Sequence, residues 1–170
     1  MRWFYFDANA LAKRYSQEIG TDLINEIFRE ISLSQLTCLS LSILETASIL
    51  VRKKNDGRLP KPVFDQTMIN FHAELIDAPE FVPATINEPL VFSALDFIAK
   101  HNINSTDAVI LRSVLNMKNR LDETGDKLVL LTSDKRLIKA AKNERVDVFD
   151  VEVETLASLQ KLIDAAKQRS

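Results

Sequence analysis

Short apolar runs alternate with amphipathic helical patterns along nearly the whole chain. The strand-like segments are predicted near residues 2–6, 36–40, 80–82, 128–132 and 146–149. The predicted helices cover residues 9–16, 21–33, 42–54, 60–78, 88–101, 107–117, 134–143 and 153–167, with a polar loop or frayed helix over 118–126. Strands that alternate with helices are typical of a parallel sheet covered on both faces. We therefore predict an α/β fold, a three-layer α/β/α sandwich around a central, mainly parallel sheet.

Length and composition favour one domain over residues 1–170. The chain is 46% hydrophobic, and a domain of this size buries roughly 70% of the surface of its unfolded chain. The N-terminus lacks the basic start and long apolar region of a secretory signal, and no run approaches the roughly 20 apolar residues of a membrane span. Cys38 lies in an apolar stretch where a buried thiol is expected. We expect a cytoplasmic protein.

Four acidic residues stand where a strand-like run or a small-residue turn leads into a helix. They are Asp7, Glu45, Asp107 and Asp134. In an open α/β sheet, ligands bind in the crevice beyond the carboxyl ends of the strands, so acids there can share a pocket although they are far apart in sequence. The sequence therefore predicts one acidic active site built from these four side chains.

Helix capping is the alternative explanation for each acid taken alone. Carboxylates are favoured at helix N-termini, where they accept hydrogen bonds from free backbone N–H groups. Asp7 and Asp134 suit N-cap positions, and Asp107 lies at or just inside a helix start. Glu45 is the fourth residue of a Ser-x-x-Glu capping box that begins at Ser42. Capping does not explain why an ionisable residue, rather than Ser, Thr or Asn, occurs in all four places.

A divalent cation is the simplest partner for four carboxylates in one cleft. Without a cation, like-charge repulsion and desolvation would raise at least one carboxyl pKa. Oxygen ligands favour Mg²⁺ or Mn²⁺ over zinc, and the chain has neither paired cysteines nor a histidine pair at ligand spacing. Such an ion can activate water for in-line attack on a phosphodiester. The hypothesis gives all four acids metal-binding and catalytic roles.

The motifs that contain these acids resemble those of PIN-domain nucleases, most closely the VapC-type ribonuclease toxins of bacterial toxin–antitoxin pairs. They read YFDANALAKRY at residues 5–15, LSILE at 41–45, STDAVIL at 105–111 and LTSDKRL at 131–137. The resemblance spans nearly the whole chain and has the four motifs in the family's order. By this resemblance, Asp7, Glu45 and Asp107 match the three central acids, and Asp134 matches the fourth, more variable one. Asn9 stands where the family usually has a small hydroxyl residue.

The resemblance implies a metal-dependent ribonuclease with a protein partner. Family members hold one or two Mg²⁺ or Mn²⁺ ions with three or four such acids and cut RNA. A small antitoxin that covers the pocket and an apolar groove between the early helices is also implied by the resemblance, as is a homodimer. The fold implied is the same α/β sandwich that the strand and helix patterns predict.

Two alternatives stay open from the residues. A haloacid dehalogenase-like phosphatase would use Asp7 as its nucleophile, but that chemistry requires a second acid two positions later, where the chain has Asn9. A PIN-like scaffold would bind RNA or protein without catalysis, and the four intact acids count against it.

Basic residues near the acids are candidate contacts for RNA phosphates. The net charge of −2 gives no general attraction to nucleic acid, so binding would depend on such local groups. A basic helical face is nevertheless more often solvated surface than a binding site. The candidates are Lys13, Arg14, Arg112, Lys135, Arg136, Lys139 and Lys142.

Overall fold

A four-stranded parallel sheet forms the centre of the computed structural model, which describes residues 1–167. The strands are β1 Arg2–Phe6, β2 Leu36–Cys38, β3 Lys127–Thr132 and β4 Asp147–Asp150, in the order β2-β1-β3-β4. Phe6, the last residue of β1, is in register with Cys38 of β2 and Leu131 of β3. The predicted parallel α/β architecture is confirmed. The last three residues of the expected domain, 168–170, lie outside the described residues.

Helices connect the strands and cover both faces of the sheet. They are α1 Ala8–Ala12, α2 Thr21–Glu30, α3 Ser40–Asn55, α4 Lys61–Leu75, α5 Glu88–Ser93, α6 Leu95–His101, α7 Ser105–Glu123, α8 Lys135–Asn143 and α9 Leu156–Lys167, with a 3₁₀ turn at Leu33–Gln35. α1 ends at Ala12, earlier than the predicted residue 16, because the next N–H groups bond three residues back rather than four. In the described part of the chain, none of these helices is both long and apolar enough to cross a membrane.

Strand β1 divides the core into two hydrophobic clusters. Phe4 and Phe6 face a cluster that includes α2, whereas Tyr5 faces the opposite cluster with α7 and α8. All three side chains are fully buried, and each contributes about 1.5–3 kcal/mol by leaving water. The Tyr5 hydroxyl donates to Ser113 Oγ at 2.8 Å, so its polar atom is satisfied inside the core. These two clusters produce the three layers expected from the sequence.

The predicted strand at 80–82 is wrong, because these residues join no strand of the described structure, and the nearby contact with the sheet is an isolated bridge between Ala84 and Leu39. Pro79 and Pro83 have no N–H group, so the segment cannot extend a ladder along the edge of β2. It is held instead by Thr37, whose Oγ1 donates to the Val82 carbonyl at 2.8 Å. The segment therefore lies along β2 as an irregular loop.

The predicted helix over 88–101 is interrupted at Ala94. Its N–H bonds to the Val91 carbonyl, three residues back, and the turn tightens there. Ser93 contributes by donating from Oγ to the Leu90 carbonyl at 3.0 Å. The released Ser93 carbonyl accepts from Arg112 Nε at 2.9 Å.

Helix α7 continues through the polar segment that the sequence predicts as loop or frayed helix. Lys118 and Asp122, one turn apart on α7, form an ion pair at 2.5 Å. The helix ends before Gly125, whose φ of +77° is a left-handed conformation that glycine adopts readily. Polarity in this segment therefore marks a solvated helical face rather than a loop.

Candidate active site

The four acids lie together in one open cleft of about 530 Å³. Asp7 directly follows β1, and Asp134 comes two residues after β3, the neighbouring parallel strand. Asp107 is in the first turn of α7, and Glu45 is in the second turn of α3. Parallel strands bring their carboxyl ends to the same edge of the sheet, which is why residues so distant in sequence meet here. Their catalytic role remains a prediction.

Asp7 is almost fully buried, with 5% of its surface exposed, and both carboxylate oxygens accept hydrogen bonds. Oδ1 accepts from the Ala8 N–H at 2.7 Å. Oδ2 accepts from Asn9 Nδ2 at 2.6 Å and from Thr132 Oγ1 at 2.9 Å. Burial raises the pKa of Asp7 to about 6, against the lowering effect of these donors, and the charge of Asp134 adds to the rise.

Thr132 and Asn9 connect the ends of β1 and β3. Thr132 Oγ1 donates to Asp7 and accepts from the Asp134 N–H at 3.1 Å. Asn9 Oδ1 accepts from the Ser133 N–H at 3.1 Å while its amide nitrogen donates to Asp7. Asn9, whose role the sequence leaves open, therefore fixes the position of Asp7 relative to the turn that carries Asp134.

Asp107 is held by the residue that caps its helix. Asn104 Oδ1 accepts from the Asp107 N–H at 2.8 Å, and Asn104 Nδ2 donates to Asp107 Oδ2, also at 2.8 Å. Burial raises the pKa of Asp107 to about 7, and the charges of the other three acids add to the rise. Arg136 acts in the opposite direction on the same carboxyl pKa. Asp107 is therefore an acid whose pKa is raised by the charge of each of the other three acids in the cleft.

Glu45 has no part in a capping box. Helix α3 begins at Ser40, and the buried Ser42 Oγ has no hydrogen-bond partner among the residues that the structure describes. Burial raises the pKa of Glu45, the charge of Asp7 raises it further, and Arg52 lowers it. Capping does account for one role of Asp134, whose Oδ1 accepts from the N–H groups of Arg136 and Leu137. It also explains the Asp7–Ala8 bond, but neither Glu45 nor Asp107 supplies a cap.

The ligand chemistry of the cleft fits a hard divalent cation. Carboxylate oxygens are the groups that Mg²⁺ and Mn²⁺ prefer, and neither histidine nor cysteine lines the cleft. Among the described residues, no three His, Cys, Asp or Glu side chains are arranged as a group that could hold an ion. Within the described part of the chain, the donor types in the cleft fit such a cation, whereas the carboxylates are not arranged as a closed set of ligands.

Several basic residues suggested by the sequence have structural partners instead. Lys13 is buried and pairs with Glu152 at 2.7 Å, and Arg14 pairs with Glu74 at 2.6 Å. Arg112 binds the Ser93 carbonyl and stacks over the Phe97 ring at 4.2 Å.

Helix α8 contributes no basic side chain to the lining of the cleft. Lys135 forms an ion pair with Asp150. Arg136, Lys139 and Lys142 are exposed. The cleft is lined instead by Arg52, which the sequence does not single out.

Three further residues of the site could have been found from sequence patterns. Asn104 stands three positions before Asp107, the spacing of an N-cap and the N3 residue. Thr132 is the last residue of an obvious strand, and Arg52 is two helical turns after Glu45. What the sequence does not reveal is that these side chains face the acids.

A family model described as the PIN domain matches residues 4–143 of the chain. The crystal structure of PAE2754 from Pyrobaculum aerophilum is similar, with a TM-score of 0.58 and 19% identity over 97% of this chain and 99% of that chain. FitAB bound to an IR36 DNA fragment gives a TM-score of 0.56 and 15% identity, covering 90% of this chain and 99% of that chain. At such low identity these likenesses show a shared fold. No curated protein matches the chain.

Proposed function

The chain belongs to the PIN domain family, and on this premise we propose that it is a Mg²⁺- or Mn²⁺-dependent endoribonuclease. Proteins of this family are typically metal-dependent nucleases. The observation that carries the proposal is the single cleft lined by Asp7, Glu45, Asp107 and Asp134. The reaction would be hydrolysis of an RNA phosphodiester bond, with no covalent bond to the protein.

The four carboxylates would hold the ion and the chain would fix their positions. When bound, the ion would act as a Lewis acid, which lowers the pKa of the attacking water and offsets negative charge on the phosphate. Asn9 and Thr132 hold Asp7, whereas Asn104 holds Asp107. Since burial raises the pKa values of both aspartates, these groups would release protons when the cation binds at pH 6–7.

A toxin role in a toxin–antitoxin pair is the more specific part of the proposal. Its support is the sequence resemblance, together with exposed apolar side chains beside the cleft. Leu44 and Val51 on α3 are 66% and 39% exposed, and each is next in sequence to a cleft residue, Glu45 or Arg52. A small antitoxin that covers the cleft would bury these side chains, and a homodimer is proposed on the resemblance alone. One structural relative, FitAB, was solved on DNA, which fits a DNA-binding partner in the pair.

The two alternatives have weaker support. A haloacid dehalogenase-like phosphatase needs a second acid two positions after its nucleophile, and Asn9 occupies that place and donates to Asp7 Oδ2. A non-catalytic scaffold would not require four carboxylates in one cleft.

The test is cleavage of assorted RNAs by the purified protein with Mg²⁺, with Mn²⁺ and with EDTA. We expect cleavage that EDTA abolishes and that Asp107→Asn lowers at least about 100-fold, because one anionic ligand is lost. Asp77→Asn is the matched control, since Asp77 is an exposed acid outside the cleft. Full activity of Asp107→Asn, or cleavage that persists in EDTA, would refute the assignment. Turnover of a small phosphoester with phosphate trapped on Asp7 would indicate the phosphatase.

A further inference from the structure

Arg52 is the one basic residue among the described residues that line the acidic cleft. It lies on α3, seven residues after Glu45. Because two turns of helix span 7.2 residues, Glu45 and Arg52 lie on the same face of α3. The wall of the cleft formed by α3 therefore carries a carboxylate and a guanidinium in line along the helix.

The side chain of Arg52 has no structural partner in the described chain. It is exposed and forms neither an ion pair nor a side-chain hydrogen bond with the side chains that the structure describes. By contrast, the next residue, Lys53, is buried and donates to Ser16 Oγ and Glu18 Oε1. Within the described chain, the interaction shown by the Arg52 side chain is electrostatic, a lowering of the pKa of Glu45. Arg52 is thus free to bind an anion that enters the cleft.

A polynucleotide in this cleft needs positive charge beside the four acids. The carboxylates repel phosphates, and a bound divalent cation offsets only part of their charge. A guanidinium presents paired N–H donors that match phosphate oxygens, and it stays charged at any working pH. A second cation, Arg136 on α8, lowers the pKa of Asp107, so it lies close enough to act on the acids although it does not line the cleft.

We propose that Arg52 binds a backbone phosphate of the RNA strand next to the phosphodiester that is cut. The inference rests on the proposed ribonuclease function and adds a substrate-binding residue to it. Arg52 acts on the strand, whereas the four carboxylates act on the cation. A purely electrostatic role, in which Arg52 keeps Glu45 ionised, would instead change the affinity for the cation.

The experiment measures binding of a labelled single-stranded RNA at several salt concentrations, in the cleavage-deficient Asp107→Asn protein. Adding Arg52→Gln should weaken binding about tenfold, the size expected for one charged phosphate contact. The slope of log affinity against log salt should fall by about 0.7, the value for one phosphate on a single strand. Arg52→Lys should recover most of this slope, since it restores the charge. Lys161→Gln, a change at an exposed cation of α9 outside the cleft, is the matched control.

Cleavage kinetics and Mn²⁺ titration of the otherwise wild-type protein complete the test. In Arg52→Gln we expect KM to rise about tenfold while kcat and Mn²⁺ affinity change less than about threefold. Unchanged RNA binding, or a loss of Mn²⁺ affinity with RNA binding intact, would overturn the role of Arg52 while leaving the nuclease in place. A wild-type protein that neither cuts nor binds RNA would overturn both proposals.

Discussion

Thr132 connects two of the four acids through a single hydroxyl group. Its Oγ1 donates to Asp7 Oδ2 and accepts from the backbone N–H of Asp134. The side chain is fully buried, and its bond to Asp7 is closed to bulk water. Loss of the hydroxyl would leave both partners short of a hydrogen bond beside the cleft.

Thr132→Val keeps the shape of the side chain and removes this hydroxyl. We expect the free energy of unfolding to fall by about 1–3 kcal/mol, because the Asp134 N–H loses its acceptor and Asp7 Oδ2 loses one of its two donors. Metal-dependent cleavage should fall at least about tenfold, because Asp7 loses a donor that favours its ionised form. Chemical denaturation and RNA cleavage measure the two effects. Thr85→Val is the control, since Thr85 is exposed; equal behaviour of the two variants would contradict a bridging role.

At the residue scale, the sequence singled out the four acids that line the cleft, but not the side chains that hold them. Asp7, Glu45, Asp107 and Asp134 could be found because each has a recognisable position at an element boundary. The capping interpretation of Glu45 failed because α3 begins two residues before Ser42, which places Glu45 in the second turn. Such a shift lies within the error of element boundaries read from one sequence.

At the element scale, Gly20 marks the close approach of α2 to the loop after β4. It has a φ of +91°, and a Cβ there would lie 2.2 Å from the Val151 carbonyl oxygen. Gly57 has a similar φ of +80°, but a Cβ there would meet no atom within 4 Å. The two glycines therefore differ in the space around them and not in backbone conformation.

Alanine substitutions at these glycines separate steric overlap from backbone strain. Gly57→Ala should lower the free energy of unfolding by about 1 kcal/mol, the strain of a left-handed alanine. Gly20→Ala should cost at least about 2 kcal/mol more, because backbone atoms must also move apart. Equilibrium denaturation of both variants measures the difference. Equal losses would contradict a steric role for the close approach of Gly20 to Val151.

Most elements were predictable because their apolar spacing is regular. The exceptions share a physical cause, namely hydrogen bonds that a pattern of apolar residues does not encode. The 80–82 segment has strand-like residues, but flanking prolines deny it a ladder. The helix over 88–101 breaks at Ala94 where side chains of Ser93 and Arg112 bind backbone carbonyls.

At the scale of the whole molecule, the acidic cleft links folding to pH and to the cation. Asp7 and Asp107 have folded pKa values of about 6 and about 7, above their ordinary value of 3.8. A raised folded pKa means that the proton stabilises the native state. This stabilisation is complete below about pH 4 and is lost as pH rises through 6 to 7. In EDTA, these two carboxyl groups should therefore make the free energy of unfolding larger at pH 5, where they are protonated, than at pH 8.

A cation that binds the cleft of the native protein, and not the unfolded chain, should restore the stability that is lost as pH rises. In the proposed function, the four carboxylates share one divalent site. Substituting any one of them with its amide removes charge while keeping size, and Asn at position 134 can still cap α8. Asp107→Asn should also raise stability in EDTA at pH 8, because it removes a charge that the other acids repel.

The most direct test is the free energy of unfolding at pH 8, with Mg²⁺ and with EDTA, for the wild type and five variants. The variants are Asp7→Asn, Glu45→Gln, Asp107→Asn, Asp134→Asn and the control Asp77→Asn. Mg²⁺ at 100 times its Kd should stabilise the wild type and the control by about 2.7 kcal/mol. Each cleft variant should lose most of that gain. An undiminished Mg²⁺ effect in all four cleft variants, or none in the wild type, would contradict a shared cation site.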